Sequence, residues 1–301
     1  MNVPIIYSPH LIGLKKNSLD YLFVPLSFAS AIKTNPGTDI YFLNVNDNYT
    51  PDIKGLNVVD VRESYTTSTE GIKKIYQHLS SNHEVFELFC IERFFVIRDF
   101  MASNGMKSAF LIETDVLLLQ NLNSVFSNAD FFCFNRTYLS EKKCISLAHV
   151  TFEYIQHYCD FVTDCYTNIT KFSKIESYFK AYQNKGAKGG ICDMTFCDYI
   201  NKGLFGAKKE MIVDNMSGVF SMTNDSYFFD SFIGRDHIID SDLKINMHQS
   251  YVDEKRIKKI SFENRKATVN TTIGDLELCS IHCQGNAKAL MSDYFVNFFE
   301  K

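Results

Sequence analysis

Two carboxylates, one imidazole and one lysine carry the clearest chemistry in this sequence. Glu113, Thr114 and Asp115 follow the apolar run Ala109, Phe110, Leu111 and Ile112, and apolar sequence resumes at Val116 within SAFLIETDVLLLQNLNSVF, residues 108–126. A short continuous apolar run reads as a strand buried on both faces, as in the middle of a parallel sheet. Carboxylates at the end of such a strand need something to offset their desolvation, usually a cation. Residues i and i+2 of a strand point the same way, so Glu113 and Asp115 can converge beyond its end. That carboxyl edge is where open α/β sheets bind ligands. A solvated acidic turn between two core segments accounts for the same residues, and an isolated acid-x-acid pair does not decide between the two.

Far downstream, IHCQGNAK sets His282, Gly285 and Lys288 in an H-x-x-G-x-x-K pattern just after a predicted strand. Each residue type has a task if a nucleotide diphosphate binds. Histidine can complete the coordination of a cation held by the acidic pair. Glycine lets the backbone approach a phosphate, and lysine places a point charge on a pyrophosphate. The plainer alternative is a strand end, a turn glycine and a surface lysine. Asp193, in GGICDMT, opens a predicted helix, where aspartate is among the best N-caps. Arg93 and Arg98 lie in a predicted helix and can be simply solvated, while His149 and His157 read as structural.

The elements that must position these residues alternate as strand, helix, strand. Strands are predicted over 3–7, 39–44 and 56–61, with a helix from about residue 18 to the stop at Asn35-Pro36-Gly37. Pro25 is tolerable only near the first turns of that helix or at a kink. Residues 66–69, TTST, read as a polar loop. The clearest helix covers 84–103, with Phe86, Phe89, Cys90, Phe94, Ile97 and Met101 at helical spacing and a stop at Asn104-Gly105. Another strand is predicted over 129–135, and from about residue 138 strand signals fade into a mostly helical insertion too long for a plain loop. TFCDYINKG reads as a helix, KKISFENRKATVN and LELCSIHC as hairpin strands, and the tail DYFVNFFE as an aromatic amphipathic helix. That tail lacks the basic cluster of a membrane-surface helix, so it reads as core or dimer contact. The alternation as a whole predicts a doubly wound, mainly parallel sheet.

At 301 residues, with 46% hydrophobic and 22% charged residues, the chain can bury an ample core. A net charge of −4 provides no global basic field for nucleic acid, so a phosphorylated ligand must be met by local charge. Nine scattered cysteines without paired metal spacings read as reduced thiols of a cytoplasmic protein. MNVPIIYSPH has no basic leader, and no window is apolar enough to cross a bilayer.

Taken together, ETDVLLLQNLNSVF and HCQGNAK resemble GT-A-type glycosyltransferases, closest in these residues to the glycogenin and lipopolysaccharide galactosyltransferase group. The resemblance covers the nucleotide-binding half and the C-terminal loop, and hardly touches the insertion. It implies one α/β domain with a mixed, mainly parallel Rossmann-like sheet and helices on both faces. Residues 1–137 would form the nucleotide-sugar half, 138–188 a helical insertion shaping the acceptor site, and 189–301 the acceptor side with the metal and pyrophosphate loop. It also implies transfer of a sugar, from a UDP-linked donor, to an acceptor hydroxyl in glycan or polysaccharide synthesis, with a homodimer left open. Glu113, Asp115 and His282 would hold Mn²⁺ or Mg²⁺, the imidazole favouring Mn²⁺. Tyr7 and Ser8 would contact the base, Arg93 would face the donor, and Thr114, Gly285 and Lys288 would complete the nucleotide contacts. Two departures stand out. Glu113 replaces the usual first aspartate, which leaves it a role on ribose or on metal-bound water. GGICDMT resembles the helix-opening acidic motif of inverting enzymes, in which Asp193 would deprotonate the acceptor. A sugar nucleotidyltransferase is the rival, although YSPHLIGLKK is a poor version of its glycine-rich basic loop; a non-catalytic sugar- or nucleotide-binding protein of the same fold is the other.

Overall fold

The computed structural model describes residues 2–10, 20–125, 132–133, 136–137, 142–143, 147–186, 189–207, 219–222, 225–229, 239–240, 245–246, 259–271, 274–283 and 285–301. The chain runs β1 (Ile5–Tyr7), α1 (Asp20–Thr34), β2 (Ile40–Asn44), β3 (Asn57–Asp60), α2 (Arg62–Ile75), α3 (Glu84–Ser103), β4 (Ser108–Ile112), β5 (Val116–Leu118) and α4 (Leu122–Val125). Next come the short strands β6 (Phe132–Cys133), β7 (Arg136–Thr137) and β8 (Lys142–Lys143), then β9 (Leu147–Thr151), α5 (Phe152–Thr167), α6 (Ile169–Asn184) and α7 (Asp193–Asn201). The remainder is β10 (Val219–Met222), β11 (Asp225–Phe229), β12 (Ile239–Asp240), β13 (Ile245–Asn246), β14 (Ile260–Glu263), β15 (Lys266–Thr271), β16 (Gly274–His282) and α8 (Met291–Phe299).

The chain divides into two compact units. One comprises Met1–Val59, Phe110–His149 and Asn215–Lys301, and the other Asp60–Ala109 and Val150–Asp214. The first holds most of the central sheet, ordered β3-β2-β1-β4-β9-β6. Here β1 pairs in parallel with both β2 and β4, Ile5 standing against Ile40 and Phe110, and Tyr7 against Phe42 and Ile112. All three residues of β1 are fully buried, as a strand between two parallel neighbours must be. The architecture is α/β with a mainly parallel central sheet. A second sheet in this unit runs β10-β11-β16-β15-β14, with β5 added on β16. Met291, Phe295 and Phe298 of α8 lie in the same core cluster as Phe23 and Phe28 of α1, so the aromatic tail is a core element.

In the second unit α3 packs on α2 and α5, and α5 packs on α6 and α7. Glu87, Glu92, Arg93, Phe94, Phe95, Val96 and Ile97 are consecutive or near-consecutive buried residues of α3. Burial on nearly every face forces its charged residues to find partners.

Three expectations change. TTST belongs to α2, where Thr69 is fully buried and its hydroxyl donates to Tyr65 O at 2.8 Å. The insertion expected from residue 138 has helices α5 and α6, but it also contains β9, a buried strand of the central sheet. Most importantly, Glu113, Thr114 and Asp115 form a turn between strands of two different sheets, with Val116 N donating to Glu113 O at 3.3 Å. Of the strand expected over 129–135, β6 is the described part. Residues 11–19, including most of the loop weighed for a nucleotidyltransferase, lie outside the described residues.

Candidate active site

β4 delivers the acidic turn to the carboxyl end of the central sheet, where Ser8 N, just past β1, donates to Ile112 O at 3.0 Å. Two helix serines hold the far side of the turn. Ser27 Oγ donates to Val116 O at 2.5 Å, and Leu118 N donates to Ser30 Oγ at 2.9 Å. On its other edge β5 pairs antiparallel with β16, His282 opposite Val116, and Cys283 N donates to Asp115 O at 2.8 Å. This register brings a histidine 167 residues downstream of Asp115 to its side (282 minus 115).

His282 Nε2 lies 3.3 Å from Asp115 Oδ1 and 3.6 Å from Glu113 Oε2. Lys288 Nζ, on the 3-10 turn Gly285–Leu290, lies 3.3 Å from Asp115 Oδ2 and 4.5 Å above the ring of Phe23. Asp115 and His282 are buried and Glu113 is half-buried. Burial by itself would raise the Asp115 carboxyl, but His282, Lys288 and His10 outweigh it and hold the group far below the usual carboxylate range. One ligand atom each from Glu113, Asp115 and His282 fall within 4.8 Å of one another, the one such group found among the described residues. Two carboxylates with one imidazole suit a divalent cation of intermediate softness, so this donor set fits the metal implied by the resemblance.

His10 is a member of this cluster that sequence reasoning missed. It follows β1, its Nε2 3.8 Å from Asp20 Oδ1 and its ring 6.5 Å from that of Phe23. Its signal was its place just past the first strand, at the carboxyl edge of a parallel sheet. Tyr7 is fully buried against Phe28, and its hydroxyl donates to Ser27 O at 2.8 Å. Its ring serves the core, so a contact from Tyr7 to a base would run through backbone. Ser8 and Thr114 are buried beside it in sequence and at the turn, and Gly285 opens the turn that carries Lys288.

The other expected residues belong to the second unit. Arg93 is buried, and its Nη2 donates to Asp193 Oδ2 at 2.6 Å across 100 residues of sequence. Asp193 is the first residue of α7, and the N-cap is Cys192, whose N–H donates to Thr195 Oγ1 at 3.2 Å. Asp193 Oδ1 accepts from Met194 N at 2.8 Å, so both its oxygens are engaged. The solvated reading of Arg93 is therefore wrong, because desolvation inside α3 demands the carboxylate partner it has.

No protein-family model and no curated protein matches the chain. Matching solved structures include mouse xyloside xylosyltransferase 1 in its apo form, 8% identical over 67% of this chain and 81% of that one, TM-score 0.39. They also include galactosyltransferase LgtC in complex with donor and acceptor sugar analogues, at 11%, 66% and 69%, TM-score 0.37. A third is the PaToxG glycosyltransferase, at 11%, 70% and 84%, TM-score 0.35. Likeness at this level assigns no residue a role.

Proposed function

We propose that the protein is a metal-dependent glycosyltransferase that moves a sugar from a UDP-sugar to an acceptor hydroxyl, in the synthesis of a glycan or polysaccharide. The observation that carries this reading is the convergence of Glu113, Asp115, His282 and Lys288 at the carboxyl edge of the sheet. Glu113, Asp115 and His282 would hold Mn²⁺ or Mg²⁺, which when bound supplies positive charge for a leaving diphosphate. Lys288 would add a point charge to the same group. In the reaction the bond from the anomeric carbon to the phosphate oxygen breaks, its electron pair leaving with UDP. The acceptor oxygen forms the new bond and gives its proton either to a carboxylate base or to the departing diphosphate oxygen.

Asp193 and Arg93 are assigned to this reaction by the sequence resemblance. Asp193 can act as the base that takes the acceptor proton, or it can orient Arg93 on the donor. Engagement of both its oxygens favours the orienting role. The experiment is a donor screen for nucleotide-sugar hydrolysis and transfer, with and without Mn²⁺. Turnover of a UDP-sugar only with metal is expected, and Asp193→Asn separates the two roles: loss of a base lowers transfer by about a hundredfold with UDP affinity unchanged, whereas an orienting residue, which keeps an acceptor oxygen for Arg93 as asparagine, loses far less. Activity with no nucleotide sugar under any metal condition would refute the reading.

A further inference from the structure

Glu87 is a buried carboxylate that the proposed chemistry does not use. It lies on α3, 2% exposed, on the same helix as Arg93. It accepts from Ser80 Oγ at 2.8 Å and from Asn82 Nδ2 at 2.6 Å, while Asn82 N donates to Ser80 Oγ at 3.2 Å. The loop gathered in this way is joined by backbone to the segment that leads into Asp193. Ile191 N donates to Leu79 O at 2.8 Å, Ser81 N to Gly189 O at 3.0 Å, and Gly189 N to Ser81 Oγ at 2.8 Å. Ser80 and Gly190 form an antiparallel bridge. The approach is so close that a Cβ on Gly190 would stand 2.2 Å from Leu79 O and 2.5 Å from Ser80 Cα. Only glycine fits there.

Helix α3 therefore grips the 189–193 segment at two points. Arg93 holds Asp193 directly, and Glu87 holds the loop against which Gly189, Gly190 and Ile191 are laid. We infer that Glu87 is a positioning residue: by anchoring Ser80 and Asn82 it sets the backbone of residues 189–191, and with it the placement of Asp193 opposite Arg93. The inference rests on the assignment of Asp193 to the transfer reaction for its functional meaning, and the test separates the two claims.

Native-state hydrogen exchange on the full chain reads the clamp without any need for activity. In Glu87→Ala, the amides of Ile191 and Ser81 should exchange about tenfold faster or more, while those of Val96 and Ile97 in α3 stay within about threefold. Both bonds end on Glu87 Oε1, so Glu87→Gln keeps them with its amide oxygen in that place, and this variant should exchange like the wild type. Should Glu87→Ala not fold, Ser80→Ala with Asn82→Ala removes the same bonds from the loop side and must give the same selective pattern. In transfer assays Glu87→Ala should lose about tenfold in kcat or more with KM for the donor little changed, and Glu87→Gln should restore it. Wild-type exchange at Ile191 and Ser81 overturns the inference, and so does a rise shared equally with Val96 and Ile97. Selective exchange with unchanged kcat supports the clamp and refutes the role of Asp193.

Discussion

Asp115 is where charge converges, with an imidazole on one oxygen and an ammonium on the other. A buried carboxylate in apolar surroundings would favour its neutral form. These neighbours reverse that, and the same group that satisfies them is a ready metal ligand. Lys288 lies between Asp115 and the face of Phe23, and the proposed function gives it a diphosphate to hold. Lys288→Ala should therefore weaken UDP by about tenfold or more while leaving uridine nearly unchanged, since hydrogen bonds to charged groups are worth about 1.5–3 kcal/mol. Calorimetric titration of both ligands checks this, and equal losses would make the lysine structural. At this scale the sequence was informative where chemistry is local. Glu113, Asp115, His282 and Lys288 stood out by type and spacing. His10 did not, because one histidine after a short strand has no pattern, and Arg93 showed no sign of a carboxylate 100 residues away.

Among the elements, α1 braces the strand that leaves the acidic turn. Ser27 and Ser30 face the backbone of β5, and Asn35 Oδ1 accepts from Leu122 N at 2.8 Å. A helix that offers side-chain oxygens to an adjacent buried strand replaces a missing strand neighbour. Ser30→Ala removes the acceptor of Leu118 N, and a buried donor left without its partner costs ~1–3 kcal/mol. A denaturant midpoint lowered by that amount, with unchanged slope, is expected; a shift under about 0.5 kcal/mol would show that the serine is dispensable. These serines were invisible in the sequence because a small polar residue in an apolar helix reads as ordinary. Helix α3 was legible to its ends, since its apolar spacing is strong and Gly105, with φ 61°, provides the expected stop. TTST misled because β-branched and hydroxyl residues have weak helix propensity, which packing of Thr69 and Ile72 overrides. β9 was hidden for a different reason: LAHVT carries a polar histidine amid short apolar flanks, and its burial is set by neighbouring strands.

For the whole molecule, a net charge of −4 gives no general attraction for an anion, so the proposed nucleotide would depend on concentrated local charge. Among the described residues no helix is long and apolar enough to cross a membrane. The alternation of strands and helices was sufficient to read a mainly parallel sheet, because that pattern is written in local periodicity. The joining of the acidic turn to β16 was not, because strand register between distant segments leaves no trace in one sequence. The proposed function stands on Glu113, Asp115 and His282 as a metal site that serves a nucleotide diphosphate. Its most direct test is calorimetric titration of UDP into the full chain, first with Mn²⁺ and then in excess chelator, repeated with Asp115→Ala. Saturable heat is expected with Mn²⁺, little or none in chelator, and none for Asp115→Ala under either condition. UDP affinity unchanged by chelation and by loss of Asp115 would contradict it.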